Sequence, residues 1–98
     1  MMKYFLNERV VLFHPVLDEE NGYLTIVRSP KNGSFHRVNQ VGYWALEFLD
    51  RHPKSSLEQV VESTALKISS TSWLIEKRVK NFIAKMLNEQ VILEDETE

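Results

Sequence analysis

Ninety-eight residues with 43% apolar and 27% charged side chains are one domain's worth of chain, too few to divide into halves that each bury a core. A net charge of -2 and a pI near 5.9 argue against general nucleic-acid binding, which leaves a basic footprint. The absence of cysteine excludes disulfides, thiolate metal sites and a thiol nucleophile, and suits a reducing compartment. Glu8 and Arg9 interrupt the apolar run after Lys3 before it reaches signal-peptide length, and no run approaches the roughly 20 residues of a membrane span. A cytoplasmic protein without a membrane partner is expected, as a single domain over 1–98 with its core at about 10–93 and an acidic tail at 94–98.

In chain order, residues 1–9 are mixed and read as a loose lead-in. Val10-Val11-Leu12-Phe13 is a β-branched and aromatic run of strand length, ended by His14-Pro15. Asp18 to Gly22 reads as a turn, and Tyr23 to Arg28 as the second strand. Asn32-Gly33, between two strand signals, is a strong hairpin cue leading into a third strand, Ser34 to Val38.

The period then changes. Val41, Trp44, Ala45, Phe48 and Leu49 fall at helix spacing after Asn39, whose side chain can cap the first turn, so strand three runs almost directly into helix one, Gln40 to Arg51. Pro53 closes that helix, and Ser55 with Glu58 suggests a capping box for helix two, whose apolar face is Leu57, Val60, Val61, Thr64 and Ala65. After a hydroxyl-rich break at Lys67 to Ser70, helix three is expected over Thr71 to Glu89. Ile75, Val79, Phe82, Ile83, Met86 and Leu87 share its apolar stripe, and Lys77, Arg78, Lys80 and Lys85 lie on its exposed side. Val91 to Leu93 would pack a short final segment, with a frayed acidic tail beyond it. Strands first and helices after, β-β-β-α-α-α, predict an α+β fold: a three-stranded antiparallel sheet packed by a helical layer.

Gly33-x-Phe35-His36-x-Val38-Asn39-x-x-Gly42, followed by Leu46-Glu47-Phe48-Leu49-Asp50, resembles the PqqD-like proteins, also called RiPP recognition elements. Ser55-Ser56-Leu57-Glu58-Gln59-Val60-Val61 resembles the start of that family's second helix, and Ile83-x-x-Met86-Leu87-x-x-x-Val91-Ile92 its closing helix, so the likeness covers about residues 20–93. Two departures stand out: Arg51-His52-Pro53 follows Asp50 where the family often has Asp-Gly, and Val38 stands where it usually has leucine. The resemblance implies a winged-helix-like domain with no catalysis and no cofactor of its own. Such a domain would bind the leader segment of a ribosomally made precursor peptide and present it to a modifying enzyme such as a radical-SAM enzyme, a protease or a cyclase. The leader would be added as a strand against strand three, in a groove walled by helix three.

The residues themselves support such a site, because an edge strand can accept a peptide through its unpaired N–H and C=O groups. Ser34, Phe35, His36, Arg37 and Val38 would supply the edge, and Arg78, Val79, Phe82, Lys85 and Met86 the facing wall. An apolar helix stripe serves a core more often than a groove; Phe82 and Met86, which flank the inner stripe, are better groove residues than Ile83. Arg37, Arg78, Lys80 and Lys85 would steer an acidic leader, or else form a solvated helix face.

No catalytic set assembles. His14, His36 and His52 lack metal-ligand spacing, no serine lies in a nucleophile elbow, and no glycine loop cradles a phosphate. Trp44 and Trp73 read as packing residues, Trp73 alternatively as part of a protein interface. The rival from another class is a winged-helix DNA-binding regulator, compatible in outline but opposed by the acidic balance. An empty strand edge could also pair with a second copy as a homodimer.

Overall fold

The computed structural model describes residues 1–12, 16–18 and 22–96. Its elements are β1 (Met2–Leu6), β2 (Val16–Asp18), β3 (Gly22–Arg28), β4 (Phe35–Val38), α1 (Gln40–Arg51), α2 (Leu57–Lys67), α3 (Ser72–Asn88) and β5 (Ile92–Glu96). The fold is α+β with three helices, as expected, but its strands form two small antiparallel sheets rather than one. In one, β3 lies between β2 and β4; in the other, β1 pairs with β5.

Three sequence expectations are corrected here. No strand forms over Val10 to Leu12, where Val10 is buried and Val11 two-thirds exposed, and the first strand of the β2–β3–β4 sheet is the short β2; Phe13 lies outside the described residues. The lead-in and the described part of the acidic tail, 94–96, are not loose: Met2 stands opposite Glu96, Lys3 opposite Asp95 and Tyr4 opposite Glu94. The Lys3–Asp95 charge pair across the strands, a Lys54–Asp95 ion pair at 3.6 Å and a fully buried Ile92 at the start of β5 hold a pairing between segments almost the whole chain apart. The Asn7 side-chain amide closes its end by donating to the Gln90 carbonyl at 2.8 Å.

The helices follow the sequence closely because their signals are local. Asn39 caps α1 by accepting the Gly42 N–H at 3.1 Å. The capping box of α2 is one residue later than expected: Gln59 donates to Ser56 Oγ at 3.2 Å and Ser56 donates back to Gln59 Oε1 at 2.9 Å. Ser55 is instead buried beside β1, where its backbone exchanges two hydrogen bonds with Tyr4 as an antiparallel bridge.

The core gathers Val41, Ala45, Leu46 and Leu49 of α1, Val60, Val61 and Ala65 of α2, and Ile75, Val79, Ile83 and Met86 of α3, with Val27 and Val38 beneath them from the sheet. Each helix contributes the stripe that its 3.6-residue period predicts. No helix among the described residues is long and apolar enough to cross a membrane.

Candidate functional site

Strand β4 is an edge: among the described residues only β3 pairs with it. The turn before it fixes which of its backbone groups face outward. Gly33 adopts φ of 76°, a left-handed conformation that glycine takes without strain, and donates its N–H to the Ser29 carbonyl at 2.8 Å. The Ser29 N–H then donates to the Ser34 carbonyl at 2.7 Å, so Gly33 and Ser34 face Ser29 as a bulged hydrogen-bonded pair that sets the phase of the ladder. Such pairs alternate along an antiparallel ladder. With Arg28 opposite Phe35, Val27 opposite His36, Ile26 opposite Arg37 and Thr25 opposite Val38, the inward-bonding residues of β4 are His36 and Val38. The N–H and C=O groups of Phe35 and Arg37 therefore point to the open edge.

The side chains alternate across the other axis. Val38 is buried and His36 half-buried on the core face, together with Thr25 and Val27 of β3. Phe35, two-thirds exposed, and Arg37 lie on the outer face with Ile26 and Arg28, where the Arg28 guanidinium sits 5.8 Å from the centre of the Phe35 ring. Ser34 is exposed at the turn, its N–H held by the Asn32 side chain at 3.0 Å.

The C-terminal half of α3 faces this edge across the start of α1. A Cβ at Gly42 would come within 2.5 Å of Val38 Cγ1 and 2.6 Å of Phe82 Cε1. Only a residue without a side chain lets strand, helix start and Phe82 ring converge. In Asn39-x-x-Gly42 the first residue caps the helix and the last makes room. Further along, His36 Nε2 and Glu89 Oε2 stand 3.4 Å apart, an ion pair whenever the imidazole is protonated; neither atom has a hydrogen-bond partner among the described residues. Ser29 Oγ donates to the Glu89 carbonyl at 2.8 Å and Lys31 Nζ to the Asn88 carbonyl at 3.4 Å, so the hairpin holds the end of α3 in place.

Of the wall residues expected on α3, the structure separates two stripes. Arg78, Phe82 and Lys85, with Glu89 beyond them, recur at helical spacing on one side; Phe82 is half-buried, and Arg78 and Lys85 are exposed. Val79 and Met86 belong instead to the adjacent buried stripe with Ile75 and Ile83, at 0% and 1% exposure, and offer no surface to a ligand in this state. The preference for Met86 over Ile83 as a groove residue is thus corrected: both are core. Val38, at 2%, likewise packs inward, so the strand contributes its backbone and the side chains of Phe35, His36 and Arg37.

Sequence reasoning assigned no role at this site to Glu89 or to Gly42. Glu89 was visible as the next residue on the Arg78–Phe82–Lys85 face, whereas the need for glycine at 42 arises only from tertiary contact. Among the described residues no group of three or more His, Asp or Glu side chains is placed to hold a metal ion.

Comparison with known proteins bears on the fold. No family model and no curated protein matches the chain. The solved structure of TbiB1 in complex with the TbiA(beta) leader peptide is similar to it, with a TM-score of 0.65 and 15% sequence identity, over 90% of this chain and 93% of that one. The two chains share a fold.

Proposed function

We propose that this protein is a peptide-recognition domain of the PqqD-like kind, with a winged-helix-like outline. It binds the leader segment of a ribosomally synthesised precursor peptide and presents that peptide to a modifying enzyme in the cytoplasm, without catalysing a reaction itself. The observation that carries the reading is the open edge of β4, with the backbone groups of Phe35 and Arg37 turned outward without a strand partner among the described residues, and Phe82 of α3 meeting Val38 over Gly42. A leader would add as a fourth strand there, its main chain bonding to Phe35 and Arg37 and its alternate side chains meeting Phe82 on one side and Phe35 on the other. Arg37, Lys85, Arg78 and the nearby Arg28 and Lys31 suit an acidic leader. The fold shared with a protein solved in complex with a leader peptide supports the same use of this chain.

The free edge of β5 makes a useful contrast. It carries Glu94, Asp95 and Glu96, and charged side chains of one sign blunt an edge against strand addition. An acidic peptide is repelled there and admitted at β4. The test is a binding titration with synthetic leader segments encoded by short reading frames beside this gene. One cognate segment should bind saturably, and Arg37→Pro, which removes one outward N–H, should weaken it about tenfold or more while the circular dichroism spectrum is unchanged. Unchanged affinity in Arg37→Pro would exclude strand addition at β4, and steep salt-sensitive binding to duplex DNA would favour a regulator instead.

A further inference from the structure

On the other side of α3 lies a second groove that the leader site does not use. Trp73, Glu76 and Lys80 recur at helical spacing and, at 3.6 residues per turn, face roughly the opposite way from Arg78, Phe82 and Lys85. They form one wall of a depression whose other wall is the first half of α2, with Leu57, Val61 and Tyr4 among the lining residues. Trp73 is 77% exposed, an unusual cost for one of the two largest side chains in the sequence. Glu58 and Glu62 on α2 and Glu76 on α3 rim the groove; Glu76 lies 3.9 Å from Lys80, the one cationic side chain among the lining residues.

We infer that this α2–α3 groove docks a cationic amphipathic helix of a partner protein; on the leader-binding reading, that partner is the enzyme that receives the leader. An apolar floor between two helices, an exposed tryptophan at one end and an acidic rim are what a helix with an apolar face and basic flanks requires. The charge is opposite to that of the β4 site, so an acidic leader and a basic partner helix are sorted to different sides of α3. The domain can then hold both at once, which a carrier between peptide and enzyme must do.

The probe is a synthetic helix of about 18 residues, long enough to fold in part on its own, with leucines on one face and lysines elsewhere; a second peptide carries glutamate in place of lysine. In an amide-resolved titration of the full chain, the lysine peptide should give saturable shifts over residues 57–62 and 72–80, and the glutamate peptide should bind at least about tenfold more weakly. Trp73→Ala should lose the interaction while the 34–38 amides stay unperturbed, and Glu62→Lys combined with Glu76→Lys should reverse the charge preference. Equal binding of the two peptides, unchanged affinity in Trp73→Ala, or shifts confined to β4 would overturn the proposal. So would a dimer in sedimentation that Trp73→Ala dissolves, because a second copy would then be the occupant. A leader titration on the same sample separates the two readings: its failure, with the groove shifts intact, counts against strand addition alone.

Discussion

At the residue scale, Gly42 concentrates the constraints of the site. An alanine there would press its methyl group into Val38 and Phe82, and the half-buried Phe82 ring is the partner able to give way. Gly42→Ala should therefore cost about 1–3 kcal/mol in a urea melt and weaken leader binding by displacing that ring. Thr64 presents the opposite case, a fully buried hydroxyl without a hydrogen-bond partner among the described residues. Thr64→Val removes an unsatisfied polar group at nearly constant shape, and should raise stability by about 1 kcal/mol in the same assay. Tyr4 gives a pH dependence. Burial, and then the Glu94 carboxylate opposite it, raise its phenol above the ordinary value of 10.0. The folded chain thus keeps a proton that the unfolded chain releases, so stability is full below pH 10.0 and falls as pH rises toward the folded value. Tyr43 adds to this fall, since burial and Glu47 also raise it despite the opposing Arg51. Tyr4→Phe should flatten part of the alkaline loss in thermal melts taken from pH 9 to 11; an unaltered slope would mean that Tyr4 is equally free to ionise in the folded chain.

At the element scale, the ladder phase of β4 makes proline substitutions at adjacent positions diverge. Arg37 turns its N–H outward and His36 turns its own toward Val27. Arg37→Pro should weaken leader binding about tenfold or more at little cost to the fold, whereas His36→Pro should break the β3–β4 ladder and lower the melting temperature. The hairpin, the capped α1 and the three amphipathic stripes were legible in the sequence because each rests on neighbours within a few residues: Asn32-Gly33 for the turn, Asn39 for the cap, and apolar spacing for the helix faces. The β1–β5 pair was not. Met-Lys-Tyr-Phe-Leu and Ile-Leu-Glu-Asp-Glu show no clean alternation, and each is fixed only by a partner at the other end of the chain. The α2 cap slipped by one residue because Ser55 and Ser56 both offer a hydroxyl, and the backbone bridge from Ser55 to Tyr4 decides between them. The amides of Leu93 and Asp95, which the ladder turns toward β1, should accordingly exchange slowly with solvent; exchange as fast as in a free peptide would dissolve the second sheet.

At the scale of the whole molecule, α3 organises the chain. Its central stripe is core, one flank faces the open strand with basic residues, and the other opens on an acid-rimmed groove. The candidate site was half legible for the same reason: an apolar helical stripe shows in sequence, but its division into core and groove depends on where the sheet and α2 meet it, which moved Val79 and Met86 inward and brought in Glu89. The measurement that bears most directly on strand addition is hydrogen exchange resolved at single amides, with and without a saturating cognate leader segment. The N–H groups of Phe35 and Arg37 face the open edge, and at least one should become strongly protected in the complex, while His36 and Val38, already bonded to β3, change little. If both outward amides exchange as before with the leader fully bound, the peptide does not extend the sheet at β4 and the site lies elsewhere.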